Sequence, residues 1–197
     1  MTEFGAERIP LFPLHTVLFP EGLLPLRIFE ARYIDMVRER LRSDGVFGIC
    51  QIREGVEAGG PAEIHTVGTS ARIVDWTQTP DGLLGITARG ERRFRVIDSQ
   101  EEDNGLRMGV IQWLPEENDT PLPPEFESLG QLCERILHEI GGPLAEHPHC
   151  DRAGWVGARL TELLPLAPEV KQALLEQADP LARLFQLRDA MLEAQTR

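Results

Sequence analysis

The sequence predicts an α+β protein: a closed or partly closed β-barrel with one packed helix, followed by a C-terminal helical bundle subdomain. Residues 8–115 predict the barrel, because short apolar runs alternate there with polar or glycine-rich turns and clear helical spacing occurs once. Residues 122–197 predict the bundle, because their apolar side chains recur at steps of three and four. The polar, proline-rich stretch at residues 115–124 lies between them, so we predict two domains with the bounds 8–115 and 122–197.

The first strands and the early helix come from residues 9–41, IPLFPLHTVLFPEGLLPLRIFEARYIDMVRERL. Four prolines lack an amide donor and favour extended backbone in the residue before each, so this part is predicted as edge-like strand, turn and strand. After Pro25, apolar side chains recur every four residues, which is helical spacing. These side chains are Phe29, Tyr33, Val37 and Leu41. We predict a helix that begins after Pro25 and packs onto the barrel through the first three of them.

Short strand candidates account for the rest of the first domain. They are residues 46–53, 64–67, 71–77, 93–98 and 106–114. We expect Gly68 to interrupt the second and third of these. The sequence Pro80-Asp81-Gly82 favours a tight turn, so TSARIVDWTQT and LLGITARG on either side should pair as an antiparallel hairpin. The last two candidates should pair across the polar loop SQEEDNG.

Four amphipathic helices are predicted in the second domain, where they can bury their apolar faces against one another. Gly141-Gly142-Pro143 stops the first helix, and Asp151 can cap the second. A short helix through Leu174 follows. Asp179-Pro180 supplies a cap and a first-turn proline for the last helix.

Composition and charge disfavour several classes of partner and cellular location. The formal net charge of −12 disfavours nucleic acid or an anionic membrane as a partner, and no apolar run reaches the roughly 18 residues that cross a bilayer. The first ten residues do not resemble a signal peptide. Cys50, Cys133 and Cys150 are scattered and odd in number, which argues against a disulfide framework, and we interpret the first two as core residues. We therefore expect a cytoplasmic protein without membrane contact.

Two clusters could carry chemistry. His147-Pro148-His149-Cys150 is the densest set of potential metal ligands, but a second ligand pair is absent from the sequence, so we interpret it as an exposed polar loop, with a metal site as the alternative. Arg92, Arg93 and Arg95 form the one tight basic cluster. Alternation on a strand favours a solvated face over a binding patch for these arginines. We predict no cofactor.

Several motifs of the opening stretch are specific. They are P-L-F-P-L at residues 10–14, V-L-F-P at 17–20, L-P-L at 24–26 and I-F-E-x-R-Y at 28–33, with V-G-T-S-A at 67–71 and R-G-E-R-R-F-R-V at 89–96 further on. With them the chain resembles the amino-terminal, substrate-binding domain of Lon-type ATP-dependent proteases. The resemblance implies a PUA-like β-barrel with one packed helix and a helical subdomain, and it implies polypeptide clients or a protease partner.

The resemblance does not extend to catalysis. ATP hydrolysis in that family needs a phosphate-loop lysine and peptide hydrolysis needs a serine–lysine pair, whereas Lys171 is the single lysine here and has no serine nearby in sequence. No G-x-S-x-G motif is present either. We therefore expect a recognition module that is not an enzyme.

Three hypotheses of different classes remain. The first is a peptide or unfolded-protein binder that uses apolar residues around the Pro20-Glu21-Gly22 turn, with burial in the core as the alternative for those residues. The candidates are Leu18, Phe19, Pro20, Leu23 and Leu24. The second hypothesis is a small-molecule or RNA binder that uses a barrel cleft near Arg92 and Arg93. The third is an enzyme built on the histidine and cysteine cluster.

Overall fold

The structure is a computed structural model that describes residues 6–57, 60, 62–78, 80 and 82–195. The strands within these residues are β1 (Glu7–Leu14), β2 (Leu23–Ile28), β3 (Phe47–Gly55), β4 (Ala62–Gln78), β5 (Leu84–Glu101) and β6 (Arg107–Trp113). The α-helices are α1 (Ala31–Ser43), α2 (Glu127–Ile140), α3 (Pro143–Glu146), α4 (Ala153–Leu163), α5 (Pro168–Glu176) and α6 (Pro180–Gln195), and a short 3-10 helix spans Pro124–Phe126. The predicted α+β class is confirmed.

The chain divides into two compact units, Met1–Pro115 and Glu116–Arg197. The first unit contains the described strands and α1, and the second contains the remaining helices. Within the described residues, every helix is too short or too polar to cross a lipid bilayer.

The strands of the first unit close into a ring. Their order is β2-β5-β4-β3-β1-β6, and β6 also pairs with β5, so the path from β5 through β4, β3, β1 and β6 returns to its start. The pairing of β1 with β3 is parallel, and the other pairings are antiparallel. The second strand, β2, pairs with the first half of β5 and lies outside the ring.

Two apolar clusters occupy the two faces of this ring. Ile9 and Leu11 of β1 belong to a cluster with members on each ring strand, so this cluster fills the interior. Phe12 and Leu14 alternate with them and belong to a second cluster that includes residues of α1. The second cluster therefore covers the outer face. Burial of Cys50 in the first cluster confirms its interpretation as a core residue.

The expected interruption at Gly68 is wrong, because β4 runs without a break from Ala62 to Gln78. A Cβ atom at Gly68 would lie 2.9 Å from the Phe94 ring and 2.4 Å from the Ile49 carbonyl oxygen. The glycine is therefore needed for close packing and does not end the strand. The two separate candidates at residues 83–90 and 93–98 are likewise parts of one unbroken strand, β5.

The predicted antiparallel hairpin of β4 and β5 is confirmed, with pairing from Gln78 opposite Leu84 to Val67 opposite Arg95. Thr79 and Asp81, which belong to the predicted hairpin, lie outside the described residues. The pairing of β5 with β6 is confirmed as well.

The early helix begins later than predicted. Residues Leu23–Ile28 pair with β5 as strand β2, so the helix starts at Ala31 and not directly after Pro25. Strand pairing places Ile28 in the core at 1% exposure and leaves Phe29 60% exposed, so the predicted contact of Phe29 with the barrel is wrong. Tyr33 and Val37 are buried as predicted, and the Tyr33 ring stacks on Phe12 with centroids 4.0 Å apart.

The segment between β1 and β2 folds back onto β5. The Glu21 amide donates to the Gly90 carbonyl (2.8 Å), and the Gly90 amide donates to the Gly22 carbonyl (2.9 Å). A Cβ atom at Gly90 would lie 2.1 Å from the Phe19 carbonyl oxygen, so this approach depends on glycine. Leu18 and Phe19 of this segment are buried, and Leu18 belongs to the cluster on the outer face.

The described part of the second unit contains five α-helices where four were predicted, because Pro143 begins the short helix α3. The Asp179 cap is confirmed: its Oδ1 accepts hydrogen bonds from the amides of Leu181 (2.8 Å) and Ala182 (3.3 Å). The predicted Asp151 cap is wrong, because Arg152 occupies the N-cap of α4 and no side chain caps that helix. Cys133 is buried in α2, as predicted.

A buried arginine of α6 contacts two other segments of the second unit. Arg183 of α6 is 0% exposed, and its guanidinium donates to the Leu174 carbonyl (2.9 Å) and to the Glu117 carboxylate (2.8 Å). A buried charge of this kind is tolerated only when its donors are satisfied. The contact therefore fixes the beginning of the unit against α5 and α6.

Tyr33 is the single tyrosine of the sequence, so its ionisation can be followed without ambiguity. Burial raises the pKa of its phenol above the ordinary value of 10.0, with Arg32 opposing and Glu30 reinforcing the shift. Since the folded state holds the proton more tightly than the unfolded state, Tyr33 should destabilise the fold as pH rises above 10. Tyrosinate absorbance should therefore have its midpoint above pH 10 in the native protein and near pH 10 in urea. A native midpoint at or below pH 10 would contradict the burial of Tyr33.

Replacement of Gly90 tests the closure of the β1–β2 segment. Gly90→Ala should lower the free energy of unfolding by about 2–3 kcal/mol, because the new methyl group collides with backbone atoms of Phe19. Gly82→Ala is the matched control: its backbone has φ +82° but nothing lies within 4 Å of the new atom, so a cost of about 1 kcal/mol from strain alone is expected. Urea denaturation measures both. Equal costs at the two positions would argue against the close approach at Gly90.

Candidate functional site

The five apolar candidates around the first turn divide into two groups. Leu18 is 2% exposed and Phe19 is 0% exposed, so both lie in the core, which was the alternative that the sequence left open. Pro20, Leu23 and Leu24 are half-buried. The turn itself therefore presents little apolar surface to solvent.

Leu24 belongs to a larger apolar face that the sequence did not reveal. Beyond the ring, β2, the first half of β5 and the last part of β4 form a three-stranded extension of the sheet. Residues that lie opposite each other in antiparallel strands share a face. Two such rows cross the extension: Leu24, Ala88 and Ile73 form one, and Leu26, Ile86 and Trp76 form the other.

Exposure increases from the middle of this face to its edges. Ile86 and Ala88 of the central strand are buried at 3% and 0%. On the flanking strands, Leu24, Leu26 and Ile73 are half-buried against the core, and Trp76 is 61% exposed. We call Leu24, Leu26, Ile73 and Trp76 the apolar rim. The rim therefore consists of three aliphatic side chains packed against the core and one large aromatic side chain exposed to solvent.

Strand edges flank the apolar rim on both sides. Among the described residues, β2 pairs with β5 alone, and the pairing of β4 with β3 ends at Ala71. Residues 73–78 of β4 therefore have β5 on one side and no strand on the other within the described part of the chain. An open strand edge offers backbone donors and acceptors to an added chain, although Pro25 removes one donor from β2.

The two candidate arginines have structural contacts. Arg92 donates from Nε (3.2 Å) and Nη2 (3.1 Å) to the Leu114 carbonyl, and its guanidinium lies 5.5 Å from the centroid of the Trp113 ring. Arg93 is only 4% exposed, so its interpretation as part of a solvated face is wrong. Thr69, which lies opposite it on β4, is buried as well, so this part of the strand pair is covered. Arg95 is exposed as expected. The basic cluster is thus dispersed over different environments.

The histidine and cysteine cluster lies before α4. Among the described residues, no group of three or more His, Cys, Asp or Glu side chains is arranged to hold a metal ion. The His149 ring instead meets Trp155 edge-on with centroids 5.9 Å apart.

An open cavity of about 360 Å³ lies at the N-terminus of α1. It is lined by Glu30, Ala31, Arg32, Gly60, Asn104 and Gly105. Arg32 donates to the Gly105 carbonyl (2.8 Å) and pairs with the Glu30 carboxylate (2.9 Å). The two opposite charges that line the cavity are thus paired with each other.

Known proteins are similar to this chain in sequence and in fold. The family model of the ATP-dependent protease La (LON) substrate-binding domain matches residues 8–193. Lon protease 2 of Myxococcus xanthus is 28% identical over 186 residues, which are 89% of this chain and 22% of that protein. Lon protease of Anaeromyxobacter dehalogenans is 25% identical over 186 residues, with the same two shares. The chain thus spans about a fifth of the length of these curated relatives.

Two solved structures extend the comparison. The crystal structure of a Lon N-terminal domain protein from Xanthomonas campestris has 42% sequence identity and a TM-score of 0.76, and the match covers 93% of this chain and 98% of that one. The N-terminal domain of Mycobacterium avium complex Lon protease has a TM-score of 0.65 and covers 93% of this chain and 97% of that one. At 18% identity, the second likeness concerns the fold alone.

Proposed function

Because the chain belongs to the family of the ATP-dependent protease La (Lon) substrate-binding domain, we propose that it binds polypeptide segments with exposed apolar side chains. The observation that carries the proposal is the apolar rim, in which Trp76 is 61% exposed beside a strand edge. An unfolded polypeptide offers both apolar side chains and unpaired backbone groups. The rim and the edge of β4 complement these two features at one place.

The size of the rim indicates weak binding. Covering the exposed part of Trp76 would remove about 150 Å² of surface from water, which is worth about 4 kcal/mol before the costs of association. The half-buried leucines Leu24 and Leu26 add less, because the core already covers part of each. Since association itself costs several kcal/mol, we expect dissociation constants in the micromolar range or weaker. Weak and sequence-tolerant binding suits a module that meets many different unfolded segments.

Charge favours some polypeptides over others. The net charge of −12 repels acidic segments at low salt and favours neutral or basic ones. It also weighs against the second hypothesis in its RNA form, and Arg92 already donates to the Leu114 carbonyl. The small-molecule or RNA hypothesis stays a prediction without a structural observation that favours it.

We further propose that this chain contributes recognition and that any ATP or peptide hydrolysis belongs to a protease partner. Lys171, the single lysine of the sequence, lies on α5, and its Nζ donates to the Glu162 carbonyl of α4 (2.9 Å). A serine–lysine pair needs the lysine beside a serine hydroxyl, and this lysine is engaged with backbone instead.

Substitution of Trp76 tests the proposal. Trp76→Ala should weaken binding of a reduced and alkylated, permanently unfolded protein by about tenfold, because the largest exposed apolar side chain of the rim is lost. Its free energy of unfolding should change by less than about 0.5 kcal/mol, because the side chain is mostly in solvent. Fluorescence anisotropy of the labelled unfolded protein measures binding, and urea denaturation measures stability.

Ile97→Ala is the matched control, since Ile97 is an exposed (58%) apolar residue of β5 outside the rim. It should bind like the wild type. Equal loss in both variants would mean that general surface hydrophobicity drives binding and would remove the rim from the proposal. Absence of binding by the wild type at high micromolar concentration would refute the proposed function as a whole.

A further inference from the structure

Two cysteines of the second unit meet although they are distant in sequence. Cys133 lies on α2, and Cys150 lies in the segment between α3 and α4. The two thiols are close enough for each to shift the pKa of the other. Cys133 is 0% exposed, whereas Cys150 is partly open to solvent. One member of the pair is therefore reachable by a small reagent, and the other is reachable through it.

Backbone packing brings the two cysteines together. Gly130 lies one turn before Cys133 on the same buried face of α2, and a Cβ atom there would lie 3.0 Å from the Cys150 carbonyl oxygen. The missing side chain lets the Cys150 backbone rest directly on the helix. Two hydrogen bonds hold the neighbouring backbone: the Leu122 amide donates to the Asp151 carbonyl (2.6 Å), and the Arg152 amide donates to the His149 carbonyl (3.0 Å).

We propose that Cys133 and Cys150 form a redox-sensitive modification site, which a small-molecule disulfide converts into an intramolecular disulfide between α2 and the segment at residues 147–152. The Cys150 thiolate attacks one sulfur of the reagent, forms a mixed disulfide and releases one small thiol. Cys133 then attacks the Cys150 sulfur and releases the second small thiol. The two cysteine thiols are oxidised, the reagent is reduced, and each leaving thiolate takes up a proton that a cysteine has lost.

The surroundings determine the rate of this exchange. Burial raises the pKa of Cys133 to about 12, and burial also raises the pKa of Cys150 above its ordinary 9.0. Glu134 on α2 and Asp151 in the segment add to the shifts, and Arg159 on α4 opposes the one at Cys133. Both groups are thiols at neutral pH, so proximity and not thiolate activation favours the disulfide. The rate of the first step should rise about tenfold per pH unit between pH 7 and 8.

The experiment uses the full chain, incubated with oxidised glutathione at pH 8 and digested under non-reducing conditions. Mass spectrometry should find a peptide pair linked through Cys133 and Cys150 in the wild type, and dithiothreitol should release it. Cys50→Ser is the matched control: Cys50 is 0% exposed in the other unit, so its replacement should leave the link unchanged. Cys133→Ser should stop at a glutathione adduct on Cys150, because the resolving thiol is missing.

A wild type that accumulates the Cys150 adduct without the link would overturn the proposal, and so would a Cys150 that fails to react. Thermal unfolding gives a second readout that does not depend on peptide mapping. A disulfide formed between cysteines that are already in place should raise the melting temperature by roughly 5–10 °C over the reduced protein. An unchanged or lower melting temperature in the linked protein would show that the link distorts the fold and that the pair is not preorganised.

Discussion

The hydrogen bonding of β5 to β2, β4 and β6 is the constraint on which the first unit depends. A strand of 18 residues is long enough to serve different neighbours along its length, so one element both closes the ring and supports its extension. Gly90 near its middle admits the backbone of Phe19, and Phe94 fills the interior beside Gly68. Side-chain size at a few positions of one strand thus decides whether the ring can close.

The same strand explains why the proposed binding surface lies outside the barrel. A ring this small has its interior filled by side chains such as Phe94 and Leu11. Where β5 continues past the ring, its outer neighbours β2 and β4 have open edges, and apolar residues there are only partly covered. The proposed recognition surface thus uses the half of β5 that extends past the ring, and the other half closes the ring through β6.

Sequence patterns predicted the structural features that depend on residues close together in the chain. They missed the features that depend on pairing between strands that are distant in sequence. The β4–β5 hairpin and the Asp179 cap follow from local turn and capping chemistry, and both are confirmed. Phe29 was misplaced because pairing of β2 with β5 overrides helical spacing. Trp76 was missed for a related reason: its position opposite Ile86 and Leu26 is a matter of register, which a single strand does not disclose. The proximity of Cys133 to Cys150 likewise could not be predicted, because it depends on how the segment between α3 and α4 packs against α2.

Strand β1 pairs with β6, which joins Glu7 to Ile111 across nearly the whole of the first unit. During synthesis the β4–β5 hairpin can form as soon as its own residues leave the ribosome, but the ring has to wait for β6. Contacts between such distant residues are slow to form, because the intervening chain must first be ordered. Until then β1 and the second half of β5 present unpaired edges. Nascent chains thus pass through a stage in which they expose the kind of surface that the finished protein is proposed to bind.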